Sequence, residues 1–134
     1  MREVFFGSRT VYLVLELCRG GELFEYLSHH GTKGLSEIQA AKLVRDMLSS
    51  IIYLHSNNIM HRDLKLENFL FDSKSADASL KLIDFGLSKH FEEHENLHQV
   101  VGSAYYTAPE VLAGKLYFFF LLFLIFFIFN ILFT

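Results

Sequence analysis

The stretch Ile59-Met60-His61-Arg62-Asp63-Leu64-Lys65-Leu66-Glu67-Asn68-Phe69-Leu70 decides how the rest of the chain is read. It places a carboxylate, an amine and an amide, at Asp63, Lys65 and Asn68, within one short segment. A second carboxylate follows in Leu82-Ile83-Asp84-Phe85-Gly86, and Ala108-Pro109-Glu110 comes later. Asp63 can accept a proton, Lys65 carries a positive charge, and Asn68 and Asp84 offer hard oxygen ligands.

A chain of 134 residues has room for one domain at most. The net charge of −3 is near balance, so it gives no reason to expect nucleic acid as a partner. Hydrophobic residues make up 51% of the chain, and the segment from Leu116 onward supplies much of the excess. Cys18 is the single cysteine, which excludes an internal disulfide and fits an intracellular protein. Met1-Arg2-Glu3 lacks a basic leader and the first apolar run is short, so no secretory signal is expected.

Glu3 to Phe6 and Thr10 to Leu17 are β-branched and aromatic runs separated by Gly7-Ser8-Arg9. They predict two antiparallel strands, the second buried on both faces. Glu22 to Leu27 reads as a short helix ended by a loop from His29 to Gly34. Ser36-Glu37-Ile38-Gln39 has the capping-box form, and Ala40, Val44, Met47, Leu48, Ile51 and Leu54 follow at helical spacing. A long amphipathic helix is therefore expected up to about His55. Phe69-Leu70-Phe71 and Leu80 to Ile83 predict a hairpin around a polar turn, and Ser88 to Gln99 predicts a loop.

Phosphoryl transfer to a hydroxyl needs a group to orient the hydroxyl, cations to neutralise phosphate charge, and ligands to hold those cations. Asp63 suits the first role, Lys65 can stabilise the transferred phosphoryl, and Asn68 with Asp84 suits Mg²⁺. Gly86 lets the backbone turn sharply after Asp84. These motifs, in this order, resemble the core of a eukaryotic-type serine/threonine protein kinase. The wording GGELFEYL, HRDLKLENFL and GSAYYTAPEVL is most similar to the calcium- and calmodulin-dependent group, above all to calcium-dependent protein kinases.

The resemblance implies an α+β fold: a partial protein kinase-like fold with the end of the small lobe, the hinge and the upper part of the helical large lobe. It implies ATP and Mg²⁺ as cofactors and Asp63 as catalytic base. Leu15 falls at the gatekeeper position, Glu16 and Cys18 on the hinge, and Leu70 on the floor of the adenine pocket. Glu22 and Glu67 fall where basic-directed kinases bind an arginine upstream of the target hydroxyl, so a protein substrate with upstream basic residues is the expected partner. Ser103 would bond Asp63 from the activation segment, and Glu110 matches the structural glutamate that ends it. Arg62 precedes Asp63, so an anion in the activation loop, with Glu92 and Glu93 as candidates, could order the core.

Several residues have plainer readings. His90, His94 and His98 recur at metal-ligand spacing, but their segment has no helical pattern. His29 and His30 read as loop surface, Cys18 as a small hinge residue, and Glu22 and Glu25 as a solvated helix face.

The resemblance covers Glu3 to Lys115 and gives a division into a partial kinase domain, 1–115, and a hydrophobic tail, 116–134. The chain is expected to be truncated at both ends, without the Gly-rich phosphate loop, the strand bearing the ATP-binding lysine or the lower bracing helices. It also has no calcium-binding EF-hand loop. As a C-terminal helix the tail would span about 27 Å, close to a bilayer core. It reads as a membrane anchor, as a segment buried in a partner, or as translated AT-rich non-coding sequence, the last being favoured. A cytoplasmic protein is expected, or a membrane-anchored one facing the cytoplasm if the tail is genuine. The alternative function is a catalytically inactive kinase-derived fragment that acts by binding.

Overall fold

The computed structural model describes residues 1–30, 34–92, 101–103 and 106. Their elements are β1 (Glu3–Phe6), β2 (Val11–Val14), α1 (Leu23–His30), α2 (Glu37–Ser56), β3 (Ile59–Met60), a 3₁₀ turn (Leu66–Asn68), β4 (Phe69–Phe71), β5 (Leu80–Leu82) and β6 (Lys89–His90). The strands pair as antiparallel hairpins or ribbons: β1 with β2, β3 with β6, and β4 with β5.

The central element is α2. Ser36 caps it: its Oγ accepts from the Gln39 amide at 3.3 Å, and its own amide donates to Gln39 Oε1 at 3.0 Å. This reciprocal pair satisfies two donors that the first helical turn cannot satisfy internally. Ala40, Leu43, Met47, Ile51 and Leu54 are buried at helical spacing, with Val44 and Leu48 partly buried beside them. The helix ends at Asn57-Asn58, where the two amides donate to the Leu54 and His55 carbonyls and Asn58 takes φ +56°. Asparagine tolerates this left-handed conformation better than most residues.

The core joins α2 to β4, β5 and α1. Leu23, Met47 and Phe69 are its largest fully buried side chains, and Phe71, Leu80 and Leu64 complete it. Tyr26 meets Phe71 edge to face at 5.1 Å. Lys42 ties α2 to the β4–β5 turn by donating to the Ala78 carbonyl, and it also pairs with Asp46 one helical turn on.

The β4–β5 hairpin has the expected strands, with Phe69 opposite Leu82 and Phe71 opposite Leu80. Three expectations need correction. The second strand is not buried on both faces: Val11 to Val14 are all exposed, because β2 pairs with β1 and no described element covers either face. The first helix runs on to His30, through the start of the expected loop; Ser28 donates to the Phe24 carbonyl, and His29 bonds the Glu25 carbonyl at 2.7 Å. The expected loop after Ser88 begins as a strand, with Lys89 opposite Met60 and His90 opposite Ile59. Backbone pairing needs no apolar side chain, so polarity concealed it.

Of the spaced histidines, His90 is exposed on β6, while His94 and His98 lie outside the described residues. So does the tail 116–134. Among the described residues no helix is long and apolar enough to cross a membrane.

Candidate active site

The segment after β3 is fixed from beneath by a buried histidine. His61 is 2% exposed; its Nε2 lies 2.9 Å from the Ile83 carbonyl and its Nδ1 accepts the Asp63 amide at 3.3 Å. Burial lowers its pKa, with Ile83 and the nearby carboxylates opposing, so the ring is neutral at pH 7. A neutral ring that donates from Nε2 and accepts at Nδ1 satisfies both contacts. The Phe85 ring closes on it edge to face at 5.0 Å. His61 carries no role in the sequence reading. Its signal was position, a polar ring between Met60 and Arg62 at a strand end.

Asp63 is 8% exposed and receives donors on both oxygens. Oδ1 accepts the Ser103 amide at 2.9 Å and the Ser103 hydroxyl at 2.8 Å. Oδ2 pairs with Lys65 Nζ at 3.0 Å and takes a longer contact of 3.4 Å from Asn68 Nδ2. Burial alone would push the carboxyl up, but the Ser103 hydroxyl, Lys65 and the Ser103 amide outweigh it and hold the pKa below its ordinary value. Lys65 is correspondingly raised, chiefly by its bond to Asp63. Both groups are therefore charged at pH 7.

Asn68 is 4% exposed, and its Nδ2 donates to the Asp63 carbonyl at 2.8 Å. That bond leaves the amide oxygen as the end able to ligate a cation. Its backbone carbonyl accepts the Ile83 amide at 2.9 Å. Ile83 thus pins the strand leading to Asp84 against both Asn68 and His61. Asp84 itself is exposed, with φ +61°, and its Oδ1 accepts the Gly86 amide at 3.2 Å. Arg62 has φ +67°, and its Nε donates to the Leu87 carbonyl at 2.6 Å. Two non-glycine residues in the left-handed region flank this loop, a form of strain that concentrates at functional sites.

The structure thus brings Asp63, Lys65, Asn68 and Ser103 into contact and ties the Asp84 segment to them through Ile83. An amide oxygen and an exposed carboxylate are hard donors of the kind Mg²⁺ takes, so this pair fits the metal in chemistry. Among the described residues no group of three or more His, Cys, Asp or Glu is placed to hold a metal ion by itself.

The expected nucleotide side is arranged more loosely. The segment after Cys18 lies against β4: Arg19 and Gly20 amides donate to the Asp72 and Phe71 carbonyls, and the Phe71 amide donates to the Gly21 carbonyl. Gly20 is required there, since a Cβ would fall 2.1 Å from the Ser73 carbonyl oxygen. Glu22 bridges to Leu70, and both are half-buried. Leu15 is exposed, and Glu16 pairs with Lys81 at 3.5 Å. Burial pushes the Cys18 thiol up and the Glu16 charge adds to this, with Lys81 opposing. Glu67 is half-buried, Gly86 is exposed, and Glu110 and Glu93 lie outside the described residues.

A buried, charge-paired carboxylate stands beside a lysine and an asparagine, and a second carboxylate follows β5; these are residue types that phosphoryl transfer to a hydroxyl needs. The chain matches the protein kinase domain family over residues 1–118, and it belongs to that family. It is 45% identical over 113 residues to calcium-dependent protein kinase 5 of Plasmodium berghei, covering 84% of this chain and 20% of the relative. To calcium-dependent protein kinase 22 of Oryza sativa subsp. japonica it is 52% identical over 112 residues, covering 84% and 19%. To calcium-dependent protein kinase 4 of Arabidopsis thaliana it is 53% identical over 105 residues, covering 78% and 21%. The chain therefore spans about a fifth of the length of these curated relatives.

Proposed function

We propose that the chain carries the phosphoryl-transfer core of a serine/threonine protein kinase that acts on hydroxyls preceded by basic residues. The observation that carries this reading is the state of Asp63: charged, nearly buried, and held by Ser103 and Lys65 beside Asn68. In this reading Asp63 accepts the hydrogen bond of the substrate hydroxyl and aims its oxygen. The incoming hydroxyl takes the place of the longest contact on Oδ2, the 3.4 Å approach of Asn68. Lys65 then offsets charge on the transferred group. Asn68 and Asp84 would hold the Mg²⁺ that neutralises phosphate charge, and ATP would supply the phosphoryl group. Leu15, Glu16, Cys18 and Leu70 would line the adenine side. Arg62 and Gly86 would shape the loop, as would Glu110.

Glu22 and Glu67 are assigned to the basic side chains of the substrate. Support comes from Glu67, whose Oε2 is buried with no hydrogen-bond partner among the described residues. A buried carboxylate oxygen without a donor is costly, and a guanidinium would satisfy it. The same reading confines the kinase segment to 1–115 and leaves the apolar run 116–134 outside it.

The test is phosphate transfer from Mg-ATP to a basic serine peptide by the purified chain. Asp63→Asn is expected to lower kcat by about 10²- to 10⁴-fold, and Asp84→Asn is expected to lower transfer in parallel. Transfer that survives both substitutions overturns the assignment of these residues. A wild-type chain that binds the peptide and transfers nothing supports the second reading, a kinase-derived segment that works by binding.

A further inference from the structure

We draw no further inference here: the strongest candidate, the open groove of about 430 Å³ between α2 and β5 lined by Ser49, Ser50, Tyr53, Leu80 and Phe85, carries none because nothing in the structure shows what covers it.

Discussion

The hairpins β1–β2 and β4–β5 are made of similar material and have opposite fates. Glu-Val-Phe-Phe and Val-Tyr-Leu-Val in the first are at least as apolar as Phe-Leu-Phe and Leu-Lys-Leu in the second. Phe6 is nevertheless 81% exposed and Phe69 is 1% exposed. The second hairpin packs on α1 and α2, and the Arg19–Gly21 backbone is hydrogen-bonded to its outer strand. The first makes its principal contacts between its own strands. Apolar and aromatic composition therefore sets the local conformation in both, while burial depends on which elements arrive to cover the faces. The loop that carries Asp63 hangs from the covered hairpin: Asn68 leads straight into β4, and Asp84 follows β5. Rigid placement of the acid and the amide comes from that covered side.

The contrast predicts unequal costs for the same substitution. Phe69→Ala should destabilise the chain by about 3–5 kcal/mol through lost burial and a residual cavity. Phe6→Ala should change stability by no more than about 0.5 kcal/mol, as surface substitutions do. Urea unfolding of both variants checks this. A large cost at Phe6 would mean that the first hairpin is covered in solution, and the contrast would collapse.

A smaller effect is expected where the chain passes from the first region to the second. An alanine Cβ at Gly20 would lie 2.1 Å from the Ser73 carbonyl oxygen and 2.3 Å from Phe71 Cβ, both on the covered hairpin. Backbone must move to admit it, so Gly20→Ala should cost about 1–3 kcal/mol. In the β1–β2 turn, a Cβ at Gly7 would lie 2.8 Å from Thr10 Oγ1, an atom that can rotate away. Gly7→Ala should therefore stay within about 0.5 kcal/mol. Thermal unfolding of the two variants side by side sharpens the comparison, because the substitution is the same and only the neighbour differs.

Legibility in the sequence followed the range of the interaction involved. The Ser36–Gln39 capping box, the apolar stripe of α2 and the β4–β5 hairpin rest on contacts near in sequence, and pattern alone exposes such contacts. Asp63, Lys65 and Asn68 were legible because the types their chemistry needs stand close together. The grip of Ser103 on Asp63 followed from family resemblance, and the structure shows both bonds. Pairings across long separations were hidden. His61 to Ile83 and β3 to β6 join residues whose local surroundings give no hint of the partner. Exposure of β2 was misjudged for the same reason, since an apolar run reports the strand and not what covers it.

The smallest effect is expected at an ion pair that links the two regions. Glu16 follows β2 and Lys81 lies in β5; their charged atoms are 3.5 Å apart, with side chains 49% and 42% exposed. At that exposure solvent screens the attraction, and two long side chains must be ordered to make it. A double-mutant cycle with Glu16→Ala and Lys81→Ala should give a coupling of about 0–1 kcal/mol, shrinking further as salt is raised. The backbone bonds from Arg19 and Gly20 to the end of β4 would then be what fixes the segment after β2, with the ion pair following it. A coupling above about 2 kcal/mol that persists in high salt would reverse the order, since exposed pairs do not reach that value. Charge would then be drawing the exposed region toward the covered one, and Lys81 would count among the residues that place the segment after β2.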